Sequence, residues 1–145
     1  MAKENPDDHS ETHKPLPHCK ALLLCEKVTE SQLTDKITLH NLIETFNLRS
    51  FPGRSTPFTI FLQVYDGIGR YPITVEVNDL TGGLTIAEID LDDFDFPERL
   101  VMIQMTAPID SVPLPHPGRY ELVIVLDGQP LARQYFVAEV DHVSR

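Results

Sequence analysis

Residues 117–140 read PGRYELVIVLDGQPLARQYFVAEV, and this stretch decides the fold class. Two runs rich in aliphatic, β-branched and aromatic residues flank Asp127-Gly128. Asp-Gly is a strong hairpin signal because a tight primed turn needs positive φ at its central positions. The pattern therefore predicts two antiparallel strands joined at Asp127 and Gly128.

The rest of the chain has the same character. Apolar runs and apolar–polar alternation predict further strands over residues 20–28, 37 to about 42, 58–65, 71–77, 85–91 and 100–106. The apolar parity shifts between Leu91 and Phe94, which requires a bulge or turn near Asp92-Asp93. The proline-rich segment 107–117 is expected to be a crossing loop and the part following Leu42 to be irregular. About eight short strands without βαβ alternation predict an all-β, two-sheet antiparallel sandwich with Greek-key connections.

The length of 145 residues suits one domain, which we place at residues 19–140. Residues 1–18 carry three prolines among polar residues and are predicted to be a disordered tail, with a short second tail at 141–145. His9, His13 and His18 lie in the first tail, where the prolines argue against a metal-binding helix. No cofactor is expected.

The net charge of −10, from 12 basic and 22 acidic residues, argues against partners that are nucleic acids or anionic membranes. The longest apolar runs have five residues, whereas about 20 are needed to span a bilayer. Cys19 and Cys25 would lie roughly 20 Å apart on one extended strand, too far for a disulfide. Free thiols and the absence of an apolar leader segment predict a cytoplasmic protein.

Six acidic residues occur within residues 88–98, and no basic residue precedes Arg99 in that stretch. Calcium prefers several carboxylate oxygens, so the weak metal candidates are Asp90, Asp92, Asp93 and Asp95. The spacing does not match an EF-hand loop, because no glycine stands at the sixth position. Two interpretations stay open: a calcium site in an acidic loop, or a solvated acidic bulge that protects a sheet edge.

The chain contains residue types that can act in catalysis, but they do not form a recognised motif. His40 and His116 are possible bases, and the possible nucleophiles are Ser31, Ser50, Ser55, Ser111, Cys19 and Cys25. None lies in a nucleophile elbow or a cysteine-protease motif. No catalytic residue is assigned, and a small hydrolase is kept as a second alternative function.

Residues 114–122, together with 125–128 and 136–137, resemble the last two strands of immunoglobulin-like sandwiches. Tyr120 would match the tyrosine corner of that fold, whose hydroxyl bonds back to upstream backbone. The stretches ALLLCE (21–26), ITLHNL (37–42) and YFVAE (135–139) resemble a family of small uncharacterised bacterial proteins. That resemblance covers most of residues 20–140. It implies a bacterial cytosolic protein and supplies no activity, ligand or catalytic residue.

The function expected from these observations is a non-enzymatic protein-interaction or scaffold module whose protein partner is unknown. The predicted interaction surfaces are the loop 107–117, the turn 66–70 and an exposed sheet face that includes Phe61 and Tyr65. Pairing of strand edges or sheet faces could also produce a homodimer.

Overall fold

The structure is a computed structural model in which residues 14–141 are described. This part of the chain contains strands and no helix. The strands are β1 (His18–Glu30), β2 (Ile37–Leu42), β3 (Thr45–Leu48), β4 (Gly53–Arg54), β5 (Phe58–Tyr65), β6 (Gly69–Asp79), β7 (Leu84–Phe96), β8 (Met102–Ile109), β9 (Pro113–Leu114), β10 (Gly118–Leu126) and β11 (Gln129–Val140). The predicted all-β class is therefore confirmed. No helical segment among the described residues has the length and apolarity needed to cross a membrane.

Two large sheets form the fold. Sheet A has the strand order β2-β1-β5-β8, sheet B has the order β3-β11-β10-β6-β7, and β4 and β9 form a separate ribbon. The eleven strands of the described part exceed the predicted eight, and sheet B is mixed because β3 runs parallel to β11. The chain passes directly from β2 in sheet A into β3 in sheet B. Phe46 and Leu48 are buried there, so a segment predicted to be irregular is a short strand.

The core lies between the sheets and is built from alternate residues of each strand. Its fully buried side chains include Leu24, Ile60, Leu62, Val64, Ile73, Val75, Leu122 and Ile124. The second face of β5 differs from the prediction. Tyr65 is 41% exposed, but Phe61, which pairs with Leu23 of β1 and Thr106 of β8, is only 3% exposed. Phe61 therefore does not belong to the exposed sheet face that the sequence predicts.

The hairpin between β10 and β11 has the predicted geometry. Asp127 and Gly128 both have positive φ, at 51° and 82°, and Leu126 pairs with Gln129 across the turn. The β-ladder continues from this turn to the pair Gly118 and Ala138. The strongest local signal of the sequence thus sets the pairing of β10 and β11 next to the turn, and the register shifts once between Ile124 and Val125.

The predicted bulge in β7 is also present. Phe94 pairs with Tyr71 and Leu91 pairs with Ile73, so Asp92 and Asp93 together oppose one residue of β6. That residue is Pro72, which has no N–H for a ladder and for which the sequence predicts an edge or strand-start position; it lies near the start of β6, which is an internal strand. Residues 88–96 belong to a strand, so the predicted acidic loop is largely a strand segment.

Residues 14–17 cross one end of the sandwich over Tyr71. The Tyr71 hydroxyl donates to the Pro15 carbonyl at 2.8 Å, and the Lys14 ammonium lies 4.4 Å from the ring centroid and donates to the Arg70 carbonyl. The predicted tail over residues 1–18 overlaps this segment and the start of β1. His9 and His13 lie outside the described residues, as do residues 142–145.

The segment predicted as a crossing loop is partly paired. β8 extends to Ile109, and β9 pairs with β4. The buried Ser55 ties this ribbon together, because its N–H donates to the Val112 carbonyl and its hydroxyl accepts the Val112 N–H. The interaction surface predicted at residues 107–117 is therefore partly covered by the protein itself.

Candidate functional site

The sandwich is closed along one side and open along the other. On the closed side the chain crosses from β2 to β3, and Gln134 of β11 donates to the Leu22 carbonyl of β1 at 2.7 Å. On the open side the edge strands are β7 of sheet B and β8 of sheet A, which are not hydrogen-bonded to each other. Between them lies a groove of about 380 Å³, lined by residues 91–95 and 103–108. We call it the edge groove.

The floor of the edge groove is apolar. Ile103, Met105 and Ala107 pair with the core-facing residues Val64, Leu62 and Ile60 of β5, so their side chains point between the sheets. Leu91 and Phe94 supply the opposite side of the floor from β7. Ile103, Met105 and Leu91 are only partly buried against the core. The groove therefore gives access to the apolar interior that the two sheets share.

The β8 wall of the groove carries no charge. Its sequence is MIQMTAPI, and within residues 14–141 its outer edge has no strand partner. Free edge strands are usually protected by charged side chains, prolines or bulges, since their unpaired N–H and C=O groups can accept another strand. In β8 one such protecting residue is present, Pro108, near the end of the strand. The rest of the edge is competent for pairing.

The β7 wall is strongly acidic. The strand reads LTIAEIDLDDFDF, with five carboxylates and no basic residue. Asp92, Asp93 and Asp95 line the edge groove and an adjoining depression of about 440 Å³, to which Arg70 contributes. The Arg70 guanidinium lies 3.9 Å from Asp95 Oδ2, and both side chains are exposed. An acidic wall from β7 and an uncharged wall from β8 thus face each other across an apolar floor.

The four aspartates proposed for calcium are spread along β7. The Asp90 carboxylate accepts the Thr74 hydroxyl at 3.0 Å, Asp92 and Asp93 occupy the bulge, and Asp95 faces Arg70. Within residues 14–141 no three His, Cys, Asp or Glu side chains come together closely enough to hold a metal ion. The extended strand separates these side chains, since each residue advances about 3.3 Å.

A second polar cluster lies at the end of the sandwich away from the hairpin turn. Asp79 is 4% exposed, and its Oδ2 lies 2.6 Å from His116 Nε2. Its Oδ1 accepts the N–H groups of Thr81 and Gly82, each at 3.0 Å. The Tyr120 hydroxyl donates to the His116 carbonyl at 2.5 Å, which is the upstream backbone bond predicted for Tyr120. We call this cluster the Asp79 corner.

The contacts within the Asp79 corner lower the pKa of Asp79 and raise the pKa of His116. Burial acts to raise the pKa of Asp79, but hydrogen bonds from Gly82, His116 and Thr81 outweigh it and lower the pKa. The Pro117 carbonyl at 2.8 Å from Nδ1 and the Asp79 carboxylate raise the pKa of His116 against desolvation. When it is protonated, the imidazole donates from both ring nitrogens, since each faces an acceptor. Because both nitrogens are occupied by these contacts, the structure does not support the general base considered for His116.

The other catalytic candidates lie apart from one another. His40 Nε2 is 2.9 Å from the Thr29 hydroxyl on the exposed β1–β2 ladder. The Ser31 hydroxyl accepts N–H groups of its own turn, Ser111 accepts the Arg54 guanidinium, Ser50 is exposed in a bend, and Ser55 ties the β4–β9 ribbon. Within the described chain, none of these serines bonds to His40 or His116.

Both cysteines lie on β1 as free thiols, as predicted. Burial raises the pKa of Cys25, and the same effect raises that of the half-buried Cys19, in each case against one backbone hydrogen bond. A raised pKa lowers the thiolate fraction, which is the nucleophilic form. The buried Cys25 is accordingly a packing residue.

Sequence reasoning missed two parts of these sites. The first is the edge groove. The uncharged stretch that forms β8 can be recognised in the sequence of a chain with net charge −10, but its place opposite β7 depends on the sheet order, which the sequence does not show. Asp79 precedes the turn Thr81-Gly82-Gly83, and Asp at that place is a known turn signal. Its partner His116 is 37 residues away, so no local pattern connects them.

Comparison with known proteins assigns the chain to a family. Curated proteins gave no match. Among solved structures, the chain is similar to the Pseudomonas fluorescens alkylpurine DNA glycosylase AlkC bound to DNA containing an abasic site analog, at a TM-score of 0.47 and 13% identity. That match covers 66% of this chain and 27% of the glycosylase, and at this level it supports no statement about activity. The sequence profile of the family of unknown function DUF6941 matches residues 20–138. The chain therefore belongs to the family of unknown function DUF6941.

Proposed function

We propose that this protein is a non-enzymatic, cytoplasmic interaction module with an immunoglobulin-like sandwich, and that it binds an extended polypeptide segment along β8 in the edge groove. The immunoglobulin-like assignment is supported by two facing sheets and by the Tyr120 hydroxyl bonded to the His116 carbonyl. The two free thiols support the cytoplasmic assignment.

The observation that carries the proposal is the uncharged free edge of β8 beside an apolar floor. A peptide that adds a strand to a sheet edge gains affinity from main-chain hydrogen bonds and specificity from pockets for alternate side chains. Here the edge would supply the hydrogen bonds. The gap over Leu91, Ile103 and Met105 would accept side chains of the added strand.

Pro108 indicates which residues of β8 face the incoming strand. It pairs with Thr59 of β5, and a proline in a paired strand is accommodated where its nitrogen points away from the partner strand. Because hydrogen-bonding direction alternates along an antiparallel pair, the N–H and C=O groups of Gln104 and Thr106 point to the same free edge. These two amides are the expected hydrogen-bonding positions.

The test uses a phage-displayed random peptide library panned against the whole protein. Selected peptides are expected to slow amide exchange at Gln104 and Thr106. Gln104→Pro, which removes one edge N–H, should weaken binding about fivefold, since one buried hydrogen bond contributes about 1 kcal/mol. Gln104→Ala is the matched control, because it loses the same side-chain bond to Gln63 but keeps the N–H.

Two results would overturn the proposal. One is slower exchange confined to residues 66–70 or 110–117, with β8 unchanged. The other is a library that yields no peptide bound above the level of empty beads. The exchange measurement is made on the wild-type protein, so it decides the question even if Gln104→Pro does not fold.

A further inference from the structure

The two walls of the edge groove differ in charge in a way that selects the occupant. The β7 residues that line the groove include the carboxylates of Asp92, Asp93 and Asp95 and no basic residue, whereas β8 contributes no charged residue. A strand added to β8 extends sheet A, so its inward side chains face the edge of β7 across the groove. Those side chains would meet apolar atoms near Leu91 and Phe94 and carboxylates at the bulge.

We infer that the occupant of the edge groove is a basic extended segment of a partner protein, with Lys or Arg at alternate positions on the face turned toward β7. This inference rests on the proposed function. Lys and Arg have long aliphatic stems that pack along apolar surface while their charged heads reach polar groups. One such side chain can therefore cover the floor and approach Asp92 or Asp93.

The carboxylates at the bulge are available for such a partner. Within residues 14–141 the side chains of Asp92 and Asp93 form no ion pair and accept no hydrogen bond. Asp95, two residues further along β7, already has a guanidinium at 3.9 Å from Arg70. Arg70 shows the kind of group that this wall accommodates, and the two bulge aspartates lack an equivalent.

Charge also disfavours the other possible occupants. Residues 1–13 contain Lys3 against four acidic residues, Glu4, Asp7, Asp8 and Glu11, so this segment would be repelled by the β7 wall. A second copy of the chain brings a further net charge of −10 to the contact. Opposite charges across an interface speed association and suppress wrong partners, whereas like charges oppose it.

The test compares three peptides of eight residues, the length of β8, that alternate valine with lysine, threonine or glutamate. Binding is measured by fluorescence anisotropy at low and high salt, and site occupancy by amide exchange at Gln104 and Thr106. The lysine peptide should bind about tenfold tighter than the threonine peptide and lose that advantage at high salt, since exposed charges are screened.

The variant that tests the wall is the double substitution Asp92→Asn, Asp93→Asn. It should reduce affinity for the lysine peptide about tenfold and leave the threonine peptide unaffected. The matched control is Glu30→Gln, Glu139→Gln, which removes the same charge from exposed positions outside the groove. This control separates a local effect from the change in net charge.

The outcomes distinguish this inference from the proposed function. If the threonine or glutamate peptide slows exchange at Gln104 and Thr106 as strongly as the lysine peptide, the inference is overturned and the proposed function stands. If panned peptides and all three designed peptides leave β8 exchange unchanged, both fail. A concentration-dependent dimer in sedimentation that protects β8 would overturn the inference in favour of a second copy.

Discussion

Asp79 Oδ2 lies 2.6 Å from His116 Nε2, and this contact joins the β6–β7 turn to the loop before β10. The two segments also touch at Gly118, which has a φ of 149° and where a Cβ would lie 2.9 Å from Thr81 Oγ1. A buried carboxylate with a histidine partner and two backbone donors is thereby held at one end of the sandwich. Its contribution to stability must depend on pH.

The pH dependence has a defined direction. The pKa of His116 is raised in the folded state, so its contribution is present below the unfolded value near 6.5 and is lost as the pH rises through the folded pKa. The pKa of Asp79 is lowered, so its contribution is present above about 3.8 and is lost as the pH falls through the folded pKa. Urea unfolding of wild type and His116→Gln should differ most between about pH 4 and 6 and converge in alkaline solution. A stability difference that stays constant with pH would contradict the pairing.

Removing the Asp79 carboxylate tests the same corner by another route. Asp79→Ala leaves the Thr81 and Gly82 N–H groups without their acceptor and should cost about 2–3 kcal/mol, as expected for hydrogen bonds to a charged group. Asp79→Asn keeps an oxygen for the two N–H groups and should cost less, while removing the part of the pH dependence that comes from the Asp79 carboxylate. Equal free energies of unfolding for the two variants would show that the backbone hydrogen bonds are not the main contribution.

Tyr120→Phe removes one buried hydroxyl without changing the ring. We expect a loss of about 1 kcal/mol in the free energy of unfolding, because the His116 carbonyl loses its donor. Tyr135→Phe is the control, since that side chain is 59% exposed, and it should be close to neutral. Unchanged unfolding of Tyr120→Phe would mean that the hydroxyl does not stabilise the loop.

The turn between β10 and β11 gives a prediction about backbone conformation. Gly128 has a φ of 82°, so Gly128→Ala should destabilise the protein by about 1 kcal/mol. Asp127→Asn should change stability little, because asparagine also tolerates positive φ. Thermal unfolding of both variants checks this. A stabilised Gly128→Ala would argue against the turn.

Calcium gives a further prediction. Because no three candidate ligands converge in residues 14–141, the melting temperature should be the same in millimolar calcium and in chelator. A calcium-dependent increase that disappears in Asp92→Asn would instead support the calcium-binding alternative.

The features that the sequence predicts correctly are local. The Asp127-Gly128 turn, the bulge at Asp92-Asp93 and the buried face of β6 each follow from a few neighbouring residues. The hydrogen bond from the Tyr120 hydroxyl to the His116 carbonyl is also local, because the two residues are only four positions apart.

The features that it misses depend on topology. β3 is a strand because of its parallel pairing with β11, about 90 residues later, and the four residues TFNL carry too little pattern to show this. The edge groove exists because β7 and β8 end their sheets on the same side, which no local period encodes.

Binding of an extended segment by β8 is tested most directly by amide exchange of the wild-type protein with and without a peptide selected by panning. We expect slower exchange at Gln104 and Thr106, with little change at the closed side of the sandwich. Unchanged exchange at these two residues, with protection confined to residues 66–70 or 110–117, would contradict such binding.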